Sequence, residues 1–135
     1  MFTHTTKLRV RYGETDQMGY MYYGNYAEFF EVGRVEMLRS LGLTYSGMEA
    51  DGIMMPVLEM KCKYLRPARY DEEISIKVTM DKMPGVKIHF RYDLYNEQEE
   101  HIHTGETLLA FIKMSTNRPS LPPQQFLDKL KPFFE

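Results

Sequence analysis

The stretch from Asn25 to Gly42 constrains this chain more than any other. Tyr26, Phe29, Phe30, Gly33, Met37 and Leu41 recur at helical spacing, which puts a bulky aromatic stripe along one side of a rod. Asn25 suits the N-cap, Glu28 three residues later completes a capping-box pattern, and Gly42 suits the position just past the last turn. At 1.5 Å per residue the rod is about 24 Å long. A helix with such a face needs an extended apolar partner, and Gly33 in its middle predicts that the partner approaches closely.

The partner follows in the sequence as a series of period-two segments. Leu58, Met60, Cys62 and Tyr64 share one face, with Glu59, Lys61 and Lys63 on the other. Ile74, Ile76, Val78 and Met80 form the next segment, then Val86, Ile88, Phe90, Tyr92 and Leu94. His101 to Met114 reads as one long strand, apolar on both faces near Leu108–Ile112 and therefore central. Thr6, Leu8, Val10 and Tyr12 supply a strand ahead of the helix, with His4 in a frayed end. The turns at Met83-Pro84-Gly85 and Asn96–Glu100 are short, and short connections imply antiparallel pairing. The expected class is α+β, a five-stranded antiparallel sheet against one long helix, with residues 1–135 as a single domain. Shorter helices are expected over Thr44–Asp51, closed by Gly52, and through Phe126, Leu127 and Leu130.

Composition narrows function by exclusion. Seventeen Lys and Arg against nineteen Asp and Glu give a net charge of −2, without the basic excess of a nucleic-acid binder. No apolar run approaches the roughly 20 residues of a membrane span, and Met1–Arg11 lacks a signal-peptide core. The single cysteine, Cys62, leaves nothing to demand an oxidising compartment. A cytoplasmic chain is the expectation. Nucleophile-elbow, phosphate-loop, dinucleotide and paired-cysteine motifs are absent, so no metal or cofactor is expected. Cys62 reads as a packing residue. His101 and His103, on one face of a strand, could chelate a metal but lack an evident third ligand, and the competing reading is surface or core placement.

Carboxylates remain. Glu14-Thr15-Asp16-Gln17-Met18-Gly19 forms a loop before the helix, and Asp16 lies seven residues ahead of Tyr23, where the helix is about to begin. The first amides of a helix have no internal partner and carry partial positive charge. An oxyanion held there would face a loop carboxylate acting from the other side. The competing reading is that Asp16 only caps its own turn. Glu14 reads as a solvated second carboxylate, and Glu31 with Arg34 as an ion pair along the helix.

The pattern Asp16-x-x-Gly19, Asn25-Tyr26 and Phe29-Phe30-Glu31-x-x-Arg34 resembles the signature of the hotdog-fold acyl-CoA thioesterases. The nearest in pattern are the 4-hydroxybenzoyl-CoA thioesterase group and its short-chain acyl-CoA cousins. Glu59, Tyr64, Pro67-Ala68, Tyr70-Asp71, Gly105-Glu106 and Arg118-Pro119 extend the resemblance to roughly Leu8–Pro122. It implies a hotdog fold and a homo-oligomer, a dimer or a tetramer built as a dimer of dimers, with the site between subunits. Asp16 would be nucleophile or general base, and the Tyr23 amide, helped by Gly24, would polarise the thioester carbonyl. Gly24, Tyr26, Glu59 and Tyr64 would contact the substrate. Many short-chain members have His where this chain has Tyr23, so that extra acid–base group is absent here.

The substrate so implied is an acyl-CoA, which needs no separate cofactor. Lys61, Lys63, Arg66 and Arg69 are candidate contacts for its phosphates, against the alternative of a charged solvent-facing edge. Lys87 and Arg91 form a second candidate patch. Tyr22, Tyr26, Phe30 and Met18 are candidates to line an acyl pocket. Three rivals stand beside this reading: a thioesterase acting on acyl carrier protein or on an aromatic quinone-pathway CoA ester, a hotdog hydratase or dehydratase, and a non-catalytic binding or assembly subunit. The absence of any His between Thr5 and Phe30 counts against the hydratase.

Overall fold

The structure, a computed structural model, describes residues 1–135. Its main sheet contains β1 (Phe2–Arg9), β3 (Val57–Tyr64), β4 (Glu73–Met80), β5 (Lys87–Tyr95) and β6 (His101–Ala110). The strands run in the order β1-β4-β5-β6-β3, every neighbour antiparallel. Helix α1 (Tyr26–Ser40) packs on this sheet, chiefly over β1 and β4. The alternation in β4 and β5 turns Ile74, Ile76, Val78, Ile88, Phe90, Tyr92 and Leu94 inward, where all are buried with Phe29, Phe30, Met37 and Leu38 of the helix. Gly33 permits the close wrap expected of it: a Cβ there would stand 2.8 Å from methyl groups of both Ile76 and Val78. Gly105 does the same on β6, where a Cβ would run into the ring of Phe30 and stand 2.7 Å from the Lys61 carbonyl oxygen.

Three details depart from the sequence reading. The run from His101 to Met114 does not continue as one strand. β6 ends at Ala110, and Ile112–Lys113 (β7) joins a small second sheet with Ile53–Met54 (β2) and Arg118–Pro119 (β8). Phe111 at the break is buried against Phe126 of the tail helix α3 (Gln124–Leu130), and β6 is internal to the main sheet without being its middle strand. β1 stops at Arg9, and Tyr12–Glu14 forms a 3-10 turn with Glu14 buried. The first residues are not frayed either. His4 pairs with Val78 in the ladder, and the terminal ammonium donates to the Phe133 carbonyl at 2.7 Å.

Helix α2 (Tyr45–Ala50) is capped by Thr44, whose hydroxyl accepts from the Gly47 amide at 3.0 Å. The outer face of the sheet is polar and charged: Lys61 pairs with Glu106, which His89 also meets at 3.0 Å, and Arg91 pairs with Asp81 and Asp93, with His101 2.9 Å from Asp93. No helix is long and apolar enough to cross a membrane.

Candidate active site

The loop between β1 and α1 is braced from within. Tyr22 N and Asn25 Nδ2 both donate to the Glu14 carbonyl, at 2.7 and 2.9 Å. Asn25 therefore ties the helix start to the loop instead of capping α1. The physical reason is a 3-10 turn, Tyr23–Asn25, which precedes α1 and puts the Asn25 amide itself on the Tyr22 carbonyl at 2.9 Å. The Glu14 carboxylate is buried and accepts from the Arg11 amide at 2.7 Å, a structural task that leaves it unlike the solvated acid expected.

Asp16 does cap its own turn. Its Oδ1 accepts from the amides of Met18 and Tyr20, at 2.9 and 3.2 Å, while its own amide donates to the Tyr20 carbonyl at 2.8 Å. The turn requires the left-handed backbone of Gly19, φ +79°. The Met21 amide then donates to the Ala68 carbonyl at 2.7 Å and pins the loop to the turn after β3. One carboxylate oxygen is thus fixed, and Oδ2 carries no protein hydrogen bond.

Asp16 borders a cleft of about 280 Å³ whose walls include Met18, Tyr20, Tyr23, Tyr26 and Tyr64, with Leu65, Arg66 and Pro67 at one side. It also borders a wider open groove of about 730 Å³ with Tyr12 and Tyr70. The amides of Tyr23 and Gly24 precede the first bonded amide of the turn, so helical geometry leaves them without an internal partner. The Tyr64 hydroxyl donates to the Tyr23 carbonyl at 3.2 Å. Burial pushes the Tyr26 hydroxyl up to about 12, so it stays a neutral phenol at neutral pH.

Two of the expected lining residues lie elsewhere. The ring of Tyr22 lies over Gly24, where a Cβ would stand 2.6 Å from it, and Phe30 is a core residue stacked on Tyr92 at 4.2 Å. Tyr20, Met21 and Leu65, all in the cleft wall, carried no signal beyond their apolar character, and Pro67 beside them was marked only by the resemblance.

The remaining candidates scatter. Glu59 is exposed on β3 opposite Leu108 and lies outside the cleft. Of the four cations, only Arg66 reaches the cleft wall, where it pairs with Glu100 at 3.1 Å. Arg69 lies over the Tyr20 ring, 5.1 Å from its centre. Lys61 and Lys63 border a different hollow with Arg91 and Glu106, and Lys61 is 3.5 Å from Glu106. The four straddle the end of β3 and the turn beyond it, so nearness in sequence does not make one patch. Arg91 of the second patch is held between Asp81 and Asp93.

Glu31 and Arg34 do not pair. Glu31 is exposed, whereas Arg34 points inward and donates to the hydroxyls of Tyr45 (2.9 Å) and Tyr92 (3.3 Å). Tyr92 in turn meets Thr107 Oγ1 at 2.6 Å. Cys62 is half-buried, and burial pushes its thiol up, away from the thiolate a nucleophile needs.

The two histidines do not share a face. His103 pairs with Leu94 and His101 with Tyr95, so Ile102 is an extra residue, a bulge that breaks the period of two. His101 is left exposed, 2.9 Å from Asp93 Oδ1. His103 is fully buried, stacked on Tyr26 at 4.1 Å and edge-on to Tyr64 at 4.8 Å. Neither of its ring nitrogens has a hydrogen-bond partner. Burial first, and the nearby His101 second, push it down to about 4. A bulge is a matter of strand register, and nothing in the sequence flags this one.

Comparison with known proteins agrees with this architecture. Residues 10–130 match the model of the thioesterase-like superfamily. YneP of Bacillus subtilis, provisionally named an acyl-CoA thioesterase, is 36% identical over 100 residues, which span 74% of this chain and 72% of that protein. The acyl-CoA thioester hydrolase YbgC of Escherichia coli is 27% identical over 124 residues, 92% of each chain. A DHNA-CoA thioesterase from Staphylococcus aureus superposes with a TM-score of 0.90 at 34% identity, covering 98% of this chain and 89% of its own. The α+β hotdog architecture expected from the sequence is the one observed.

Proposed function

The chain belongs to the thioesterase-like superfamily and is a thioester hydrolase, and from that premise we propose that it splits an acyl-CoA at the cleft beside Asp16. The observation that carries the reading is that Asp16 and Tyr23 border one cleft, with one carboxylate oxygen of Asp16 committed to its turn and the other uncommitted. The thioester carbonyl accepts from the Tyr23 amide, with Gly24 beside it, where the orphan donors at the start of the helix stabilise the developing oxyanion. Asp16 then acts in one of two ways. As a general base it takes a proton from water, whose oxygen adds to the carbonyl; as a nucleophile it adds directly and forms a mixed anhydride that water opens. Either route breaks the C–S bond, expels coenzyme A as the thiolate, and leaves a free acid after uptake of one water.

The acyl group lies in the tyrosine-rich cleft. Its walls favour a flat aromatic acyl group as a second, narrower reading, since Tyr20, Tyr23, Tyr26 and Tyr64 offer ring surfaces for stacking. Arg66 is the nearest of the four candidate cations to the cleft but is paired with Glu100, whereas Lys63 and Arg69, farther out, have no carboxylate partner to give up for a phosphate. The working form is a homo-oligomer paired through β3. That strand is an edge of the sheet, and Val57, Leu58, Met60, Tyr64 and Leu65 on or beside it are exposed. Such an edge invites a second copy.

The test is thiol release from a panel of aliphatic and aromatic CoA esters by the wild type and by Asp16→Asn. The Asn side chain keeps an oxygen for the Met18 and Tyr20 amides, so the turn survives while the carboxylate is lost. Turnover abolished in a folded variant is the expected result; turnover retained would end the role given to Asp16.

A further inference from the structure

The side chain of Asn25 reaches back to a single atom in the loop before the helix. The Glu14 carbonyl oxygen accepts two hydrogen bonds, from the Tyr22 amide at 2.7 Å and from Asn25 Nδ2 at 2.9 Å. The residues flanking Tyr23 and Gly24 are therefore both clamped to one point, and the two amides between them are the ones without an internal partner. The same point anchors the acid. Asp16 follows Glu14 by two residues, and Glu14 is itself held fast. Its amide donates to the Arg11 carbonyl at 3.0 Å, and its buried carboxylate accepts from the Arg11 amide at 2.7 Å. One carbonyl thus joins the Asp16 loop to the start of the helix.

Helix stability alone would turn an asparagine here onto the amides of the first turn, a cap worth about 1 kcal/mol. Helix α1 has no side-chain cap, and the Asn25 side chain goes to the loop instead. A purely stabilising role does not account for that exchange. We propose that Asn25 is a positioning residue for thioester hydrolysis, its side chain fixing the free amides of Tyr23 and Gly24 at a set distance from Asp16. The proposal rests on the hydrolase reading and deepens it. A donor stabilises an oxyanion when it is already in place, about 2.7–3.1 Å from where the charge develops. A 3-10 turn has poorer hydrogen-bond geometry than an α-helix, and helix ends fray, so an amide there holds its place better when both of its flanks are tied. Asn25 acts through the backbone. Its effect falls on the transition state and leaves binding of the ground-state ester unchanged.

The experiment measures kcat and KM for the best CoA ester in Asn25→Ala and in the isosteric Asn25→Asp, whose carboxylate cannot donate. The Glu14 carbonyl keeps the Tyr22 amide in both, so it is not left without a donor, and the thermal midpoint stays within about 5 °C. The expected result is a kcat lowered about 10- to 100-fold with KM within about twofold. In Asn25→Ala the acid limb of the kcat/KM profile, set by Asp16, stays in place while the plateau falls. An unchanged kcat, or a loss shared between kcat and KM, overturns the proposal. So does a shifted acid limb, which would put the influence of Asn25 on the Asp16 turn. A second measurement needs no turnover: 15N relaxation dispersion of the Tyr23 and Gly24 amides. Exchange on the millisecond scale is expected in Asn25→Ala and not in the wild type, with the Met18 and Tyr20 amides on Asp16 quiet in both. Matching profiles in the two proteins overturn the clamp. Should the wild type hydrolyse no ester, the hydrolase reading fails, and the relaxation data still decide whether Asn25 holds those amides.

Discussion

Two basic side chains are buried against the same helix, and the protein treats them in opposite ways. Arg34 lies on α1 eight residues beyond Tyr26, about 12 Å along the axis. Its guanidinium is bonded to two tyrosine hydroxyls, one of which is bonded onward to Thr107. His103, under the first turn, is stacked on aromatic rings and bonded to nothing. A buried polar network with its members satisfied stiffens a core, whereas an unsatisfied group is a cost that stability alone does not explain. The middle of the helix is built for stability and its start for something else.

The contrast can be broken by four measurements. The largest effect belongs to Asp16→Asn, which is expected to lower kcat/KM on the order of 10³-fold, or about 4 kcal/mol in the barrier, and to leave the urea midpoint where it was. Arg34→Met should do the reverse. The Tyr45 hydroxyl loses its partner, stability falls by about 2 kcal/mol, and KM for the best ester stays within about twofold. If Arg34→Met instead altered turnover of a fully folded enzyme, the division between the two ends of the helix would be wrong.

The third measurement is a pH series on the histidine. His103 stays unprotonated in the folded protein down to about pH 4 but takes its proton near 6.5 once unfolded. Between those values the unfolded chain binds more protons. This contribution to stability is therefore full above pH 6.5 and is lost as the pH falls through about 4, on the order of 3 kcal/mol in all. His103→Phe should flatten the decline in thermal midpoint between pH 7 and pH 5; parallel curves for the two proteins would show that His103 is not held neutral. The smallest effect is electrostatic. Lys63→Gln and Arg69→Gln should each raise KM by about twofold to threefold at low salt and not at high salt, with Lys61→Gln weaker because Glu106 already screens it.

How much of this was legible before folding depends on the kind of information each feature carries. The α1 stripe, the inward residues of β4 and β5, and the glycine at 33 are local patterns of burial and could be read directly. The position of Asp16 beside the helix start followed from a short loop between two well-marked elements. Arg34 was misread because i,i+3 spacing to Glu31 says the two can meet, not that one of them faces inward. The cation cluster was misread because a strand end and a turn send consecutive charges to different sides of the sheet. His103 was misread because a single extra residue, Ile102, changes which face the following residues take.

The sequence by itself determined the architecture, because apolar periodicity is a property of each segment and survives any arrangement of the others. Only the tertiary structure decided which side chains line the cleft and which polar groups go unpartnered. Those depend on register, on a bulge and on where a turn ends, differences of one residue that move a side chain across a sheet and leave the pattern of hydrophobicity almost unchanged.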